Sequence, residues 1–246
     1  MFIVVGNWGN ETICLLQWAL KNKLASLTLL TVETGWSAAS WNLRVGQGLK
    51  FAAQNGINII TLKPKLNFSE LVEHRGEFPT PTFLWCADTL KKVPILTWLE
   101  ANDFSYAATI LLPYCQATSD RIFNHMQAAE HYDDRKIQTP IMNFSIEQCK
   151  KLVAEAGFEW LSHRSLECAP CVNSTATELL HTDNNSLEKL SVLENKINRT
   201  LCKNSSGKSI AIQNYLAEIR EKNHIAEEET ISGFDLNCAD YFGCGK

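Results

Sequence analysis

The chain has 246 residues, 45% of them apolar, with a net charge of −4 and a pI near 5.9. That is enough apolar content for one large domain, or a domain with an appendage. The acidic balance excludes a global basic field that would hold nucleic acid without sequence preference.

No run of about 18 apolar residues is present, so no membrane span is expected. The N-terminal stretch from Met1 to Glu11 lacks the basic flank and long apolar core of a signal peptide. A reducing, cytoplasmic compartment is therefore expected, where nine cysteines read as thiols or a metal centre and not as a disulfide frame.

In chain order, Phe2–Val5 is a short apolar run that reads as a buried strand. A turn rich in Gly and Asn leads into a helix from about Glu11 to Lys21. Leu27–Val32 reads as a second strand, Ser37 to Asn55 as a helix stopped by Gly56, and Ile57–Leu62 as a third strand. This β-α-β-α-β order predicts a parallel sheet with right-handed crossovers flanked by helices, an α/β fold of Rossmann type. Residues 63–86, punctuated by Pro64, Gly76, Pro79 and Pro81, are expected to be irregular. Asp88 opens a helix to about Ala101 that Pro94 begins or kinks. Tyr106–Leu112 is expected as a strand and Thr118–Glu130 as a helix. Ser145-Ile-Glu-Gln148 fits a capping box before a helix ending at Gly157. Leucines and isoleucines at helical spacing over 184–224 predict two or three helices with a break near Asn204–Gly207. The final stretch, Ile231–Lys246, carries Cys238, Phe242 and Cys244 and is expected to dock.

The chemistry concentrates in cysteine. Cys168-Ala-Pro-Cys171 sets two thiols at i and i+3, a spacing that serves one metal, one cluster or a redox pair. Cys86 and Cys244 are the candidates to complete a four-sulfur cage, with Cys238 second to Cys244. Zinc is the alternative occupant of such a site. Cys14, Cys115, Cys149 and Cys202 read as buried thiols. The turn Asn7-Trp8-Gly9-Asn10-Glu11-Thr12 ends a strand and opens a helix, where backbone N–H groups favour anions. Trp8, Trp36, Trp41 and Trp85 fall near that turn in the expected fold; most pack the core and some suit adenine stacking.

Four segments, in order, carry a resemblance. Val4-Val5…Asn7-Trp8-Gly9-Asn10-Glu11-Thr12 resembles a worn pyrophosphatase-type loop, Ser-Gly-Gly-Lys-Asp-Ser. Thr31-Val-Glu-Thr34-Gly35-Trp36 resembles Val-Asp-Thr-Gly-Trp/Tyr. Phe78-Pro…Cys86…Lys91-Lys-Val-Pro94 resembles a Pro…Cys…Lys-x-x-Pro stretch, and Arg164-Ser-Leu-Glu-Cys168-Ala-Pro-Cys171 resembles Arg-x-Gly-Cys-x-Pro-Cys. Gln116–Arg121 sits where relatives carry an arginine-bearing loop. Over residues 2–173 the chain is thus similar to the phosphoadenosine phosphosulfate (PAPS) reductase family of the adenine nucleotide alpha-hydrolase, or PP-loop, superfamily, as a divergent iron–sulfur member.

The resemblance implies a PAPS reductase-like nucleotide-binding domain over 1–173. The rest, 174–246, is expected as a helical extension whose cysteine-bearing tail returns to the site. It implies a [4Fe-4S] cluster on Cys86, Cys168, Cys171 and Cys244; Ala87 replaces the second of the family's adjacent cysteines. If Cys244 is not a ligand, it is the catalytic nucleophile that attacks a sulfonucleotide. Asn7, Gly9, Glu11, Thr12, Thr34, Gly35, Lys91, Arg121 and Arg164 are the implied adenine nucleotide contacts. The implied function is oxidoreductase chemistry of the phosphoadenylyl-sulfate reductase type, on an adenylyl nucleotide or related sulfur-bearing substrate, with a thiol electron donor. Asn7, Trp8, Asn10, Glu11 and Thr12 depart from the loop pattern and weigh against cleavage of ATP between its α and β phosphates. Two other readings remain: an ATP-dependent sulfurtransferase thiolating a nucleobase or nucleic acid, and a non-catalytic nucleotide or cluster module with a degenerate loop. Nucleic acid is the less favoured partner, and a homo-oligomer is expected.

Overall fold

β1 (Phe2–Val5) and β2 (Leu27–Val32) form the centre of a parallel sheet, and nearly all their residues are buried, as strands covered on both faces must be. The computed structural model describes residues 1–118, 124–203 and 207–223. With β3 (Asn58–Leu62), β4 (Thr109–Leu111) and β5 (Lys136–Gln138) the strands take the order β3-β2-β1-β4-β5. Every pairing is parallel; Val4, for example, lies opposite Leu29 on one side and Leu111 on the other. Helix α1 (Asn10–Lys21) follows β1 and α2 (Trp41–Gln54) follows β2. Strand order turns back at β1, which opens a crevice beyond the C-terminal ends of β1 and β4.

Local chemistry explains where the elements differ from expectation. α2 starts at Trp41 and not at Ser37, because the preceding backbone is engaged elsewhere: Ala38 N–H donates to the Leu166 carbonyl (3.0 Å) and Trp36 carbonyl accepts from Ala169 (2.8 Å). The stretch 63–86 contains a regular helix, α3 (Phe68–Arg75). Asn67 and Glu70 cap its start reciprocally, and Gly76 closes it at φ 69°. The short α4 (Trp85–Ala87) runs through a π-helical turn (Asp88–Lys92) into α5 (Val93–Asn102). β4 is shorter than Tyr106–Leu112, because the Asp103 carboxylate accepts the N–H groups of Ala107 and Ala108 (3.0 and 3.1 Å) and holds them out of the ladder. β5 was not expected. Of the helix expected over 118–130, α6 (His125–His131) is described, and residues 119–123 lie outside the described residues. α7 (Ile146–Glu155) has the Ser145/Gln148 capping box.

The C-terminal part adds α8 (Ala176–Leu180), α9 (Asn184–Ile197), a small hairpin of β6 (Cys202–Lys203) and β7 (Ser209–Ile210), and α10 (Ile212–Asn223). Its apolar side does not form a separate core. Leu179, Leu187, Leu190, Leu193, Ile212 and Leu216 pack with Trp36, Phe68, Leu71, Phe78, Trp85 and Leu90. The buried Glu194 carboxylate ties α9 to the approach to β6 and to the start of α10, accepting the N–H groups of Leu201 and Ile212, each at 3.0 Å. Among the described residues no helix is long and apolar enough to cross a membrane.

Candidate functional site

The arm after α7 carries the Cys168/Cys171 pair, and hydrogen bonds to distant segments fix its path. Asn10 pairs with Leu161 in both directions: its Nδ2 donates to the carbonyl (2.8 Å) and its Oδ1 accepts the N–H (3.0 Å). Buried Arg44 donates to the Glu159 carbonyl (2.8 Å) and to the Trp8 carbonyl (3.1 Å). Asn7 Nδ2 donates to Ser165 Oγ (3.0 Å), and Thr34 Oγ1 to the Glu167 carbonyl (2.9 Å). Trp36 forms a bridge to Cys168, and its indole N–H donates to the Pro170 carbonyl (3.1 Å). Gly35 makes this turn feasible: at φ 71°, any Cβ there would lie 2.7 Å from Asn67 Cβ.

The result is that Cys168 and Cys171 line one cavity with Cys86 of α4, together with Thr34, Lys91 and Arg164. The cavity measures about 40 Å³ and much of its wall is Leu84, Ala87 and Leu90. None of the described cysteines is disulfide-bonded. Among the described residues no three His, Cys, Asp or Glu side chains are arranged to hold one metal ion. The donors that do share a space are thiols, the ligand type of an iron–sulfur cluster, which spreads its thiolates more widely than a single ion does.

Charge in this cavity is distributed unevenly. Lys91 and Glu167 form a buried ion pair, their side chains 4% and 9% exposed. A buried ammonium needs such a partner to remain charged. Arg164 is differently placed. Its Nε is 3.9 Å from Glu178, and its Nη1 is buried with no hydrogen-bond partner among the described residues. Glu167 stands where the resembled motif has glycine; its ion pair with Lys91 was not foreseen, and that substitution was the available signal. Ser165 and Arg44 were likewise not foreseen as anchors of the arm.

The β1–α1 turn closes on itself. Asn7 N–H donates to Thr12 Oγ1 (3.3 Å) and Gly9 N–H to Asn7 Oδ1 (2.6 Å), so both groups already have side-chain acceptors. The Trp8 ring does not cover the turn; it is buried in the core against Gly48 of α2. Trp36, Trp41 and Trp85 are buried as well. Glu11 faces away from the thiol cavity, towards Thr118 and Cys115, and burial pushes its carboxyl up to about 7 despite stabilising hydrogen bonds. Cys115 and Cys149 lie with their sulfurs 3.5 Å apart in the core, and the bond with Cys149 together with burial pushes the Cys115 thiol far up. Of the expected nucleotide contacts, Thr34, Lys91 and Arg164 therefore meet in one cavity, Asn7 reaches it through Ser165, and Gly9, Glu11, Thr12 and Gly35 do not line it. Arg121, Cys238 and Cys244 lie outside the described residues.

No family model matches the chain, and no curated protein matches it. Three solved structures show a weak likeness. Phosphoadenylyl-sulfate (PAPS) reductase from Candida auris, in a phosphate complex, is 15% identical with a TM-score of 0.40, over 64% of this chain and 74% of that one. A predicted subunit of tRNA methyltransferase from Methanocaldococcus jannaschii is 17% identical with a TM-score of 0.37, over 63% and 74%. The U34-tRNA thiolase NcsA from Methanococcus maripaludis, with its [4Fe-4S] cluster, is 12% identical with a TM-score of 0.45, over 98% and 79%. The similarity to these three structures is weak and structural.

Proposed function

We propose that this chain is an iron–sulfur protein working in thiol-dependent redox or sulfur chemistry on an adenylyl nucleotide or related sulfur-bearing substrate, an oxidoreductase of the phosphoadenylyl-sulfate reductase type. The observation that supports this reading is the meeting of Cys86 with the distant Cys168 and Cys171 around one cavity. In this proposal the three thiolates hold a [4Fe-4S] cluster and Cys244 supplies the fourth ligand, or, unligated, the nucleophile. The cluster supplies electron transfer or a sulfur-binding iron when bound. The chain's own residues do the rest. Arg164 brings a guanidinium to the cavity that the thiols line, where the charge of Lys91 is met by Glu167. Leu84, Ala87 and Leu90 limit water at the sulfurs.

The nucleotide side of the proposal consists of Thr34, Lys91, Arg164 and Arg121, with Asn7, Gly9, Glu11, Thr12 and Gly35 shaping the neighbouring turns. In this proposal a domain over 1–173 carries these groups; the tail that the extension over 174–246 would bring to them lies outside the described residues. The internally bonded turn favours a second reading, a non-catalytic nucleotide or cluster module, and weighs against the ATP-dependent sulfurtransferase. An anion could reach the N–H groups of Asn7 and Gly9 only by displacing Thr12 Oγ1 and Asn7 Oδ1.

The test is anaerobic purification with iron and sulfide analysis and visible absorption, on the wild type and on Cys→Ala variants at 86, 168, 171, 238 and 244. About four irons and four sulfides per chain, lost on changing Cys86, Cys168 or Cys171, are expected. Loss of the cluster in Cys244→Ala assigns that residue as a ligand; retention assigns it as a thiol available for attack. Stoichiometric zinc, or no metal in protein kept from oxygen, refutes the proposal.

A further inference from the structure

We propose that Cys115 and Cys149 are a second thiol site, a pair that a small peroxide oxidises to a disulfide fastening the segment after β4 to α7. The inference goes beyond the cluster reading, because it uses none of the thiols assigned to the cluster.

Hydrogen bonding and helix register explain why the two sulfurs meet. Cys149, Leu152 and Val153 stand at i, i+3 and i+4 on α7 and form its buried face. Cys115 follows β4, and two bonds tie its segment to the chain just ahead of α7. Its Sγ donates to the Phe144 carbonyl (3.3 Å), and Gln116 N–H donates to the Met142 carbonyl (2.9 Å). The sulfurs are thereby held 3.5 Å apart, with both residues 1% exposed. A disulfide spans about 2 Å, so about 1.5 Å of approach closes the bond.

The surroundings select the oxidant. Both thiols sit in an apolar core with Leu111, Ile141 and Leu152. The bond with Cys149 and burial raise Cys115. Against the lowering effect of its bond with Cys115, the bond with Cys14 and burial push Cys149 up to about 12. Both therefore keep their protons at neutral pH, so a bulky or charged disulfide finds neither a thiolate nor room to approach. A peroxide is small and uncharged. The Ala117 N–H and the Thr118 hydroxyl lie against the Cys115 sulfur and favour the negative charge that grows on it during attack.

In the first step the Cys115 sulfur attacks one peroxide oxygen. An S–O bond forms, the O–O bond breaks, and the thiol proton leaves with the departing oxygen as water. The Cys149 sulfur then attacks the sulfenic sulfur; the S–S bond forms, the S–O bond breaks, and a second water leaves with the Cys149 proton. The two thiols give up two electrons and the peroxide takes them. Cys115 lies just past the C-terminal end of β4, so the new bond fixes that wall of the crevice to α7.

The experiment treats the full-length chain, purified without oxygen and with its iron content recorded, with hydrogen peroxide until the other thiols are consumed. Remaining thiols are blocked in denaturant, and the digest is mapped by mass spectrometry. A linked peptide pair joining Cys115 to Cys149, lighter by two hydrogens and separated by dithiothreitol, is expected. The same pair should form in Cys86→Ala, which the cluster reading expects to lack iron. The urea midpoint should rise by roughly 1 M on oxidation of Cys86→Ala, as for a bond closing a loop of about 30 residues. Adding Cys149→Ala to that variant should abolish the rise. Cys115 and Cys149 left reduced, Cys149 joined to Cys14 instead, a pair that forms only in urea, or an unchanged midpoint overturns the proposal. If the double variant does not fold, the wild-type peptide map decides alone. Iron absent with the pair formed defeats the cluster reading only; the pair absent from iron-bearing protein defeats this inference only.

Discussion

Gly48→Ala separates two opposing effects at the contact behind the β1–α1 turn. In an exposed helix the change stabilises by about 1 kcal/mol. Here a Cβ on residue 48 would lie 2.3 Å from Cδ2 and Cε3 of Trp8 and 2.6 Å from Cε2. Ordinary carbon contacts are about 3.5–4 Å, so the indole or α2 must shift by roughly 1 Å. The indole has little freedom to do so. It is 2% exposed, and its own residue's carbonyl accepts from Arg44, which also holds the cysteine-bearing arm at Glu159. Overpacking of this kind costs about 1–3 kcal/mol. After subtracting the helix gain, the steric cost wins, and we predict a net loss of up to about 2 kcal/mol. Equilibrium urea unfolding followed by far-ultraviolet circular dichroism measures it. Trp8→Phe in the Gly48→Ala background should recover part of the loss, with a coupling of at least about 0.5 kcal/mol in the double-mutant cycle. A stabilised Gly48→Ala, or strict additivity of the two changes, would refute the packing argument.

Glu11 carries a pH dependence of definite sign. Its folded-state value is raised from 4.5 to about 7 by burial, so its contribution to stability is fully present below 4.5 and is lost as pH rises through about 7. The linkage amounts to about 3 kcal/mol, and Glu11→Gln should remove that component when urea midpoints at pH 5 and pH 8 are compared. Arg135 is fully buried, with Nε 3.0 Å from Asp103 Oδ2 and its guanidinium 4.1 Å from the Tyr106 ring centre. Arg135→Met should cost about 3–5 kcal/mol by leaving Asp103 uncompensated, and a thermal scan that shows no shift contradicts this. Glu194→Ala strips the acceptors of Leu201 and Ile212 and should cost about 1–3 kcal/mol per buried donor. Hydrogen exchange should locate the loss at the start of α10, with faster exchange of the Ile212 amide.

Long apolar runs made the parallel sheet readable from residues alone, because β1 and β2 are buried on both faces and need no alternation. Three-residue β5 lies between Asp133-Asp134 and Pro140 and is too short to show a period. α3 was missed because proline and glycine punctuation outweighed a legible signal, the Asn67/Glu70 box followed by Gly76. The late start of α2 could not be read locally, since its cause is pairing with residues far away in the chain, at 166–169. At the candidate site, the motifs pointed to Cys86, Lys91, Arg164, Cys168 and Cys171, which do share a cavity. What they did not carry was the charge balance. The side-chain partner of Lys91 is Glu167, which stands where the resembled motif has glycine, and the orphaned Arg164 donor emerges only from packing.

The lacing of the arm bears on the order of events during synthesis. Asn10 and Asn7, near the start of the chain, hold Leu161 and Ser165, and the leucines of α9 close the apolar core beneath Trp85. Cys86 therefore gains its fellow thiols only after the ribosome has released the arm, and gains a sealed floor only after α9 has emerged. A nascent chain halted before residue 168 presents Cys86 without that pair, so whatever the thiols carry must be installed late, on a chain whose sheet is already complete.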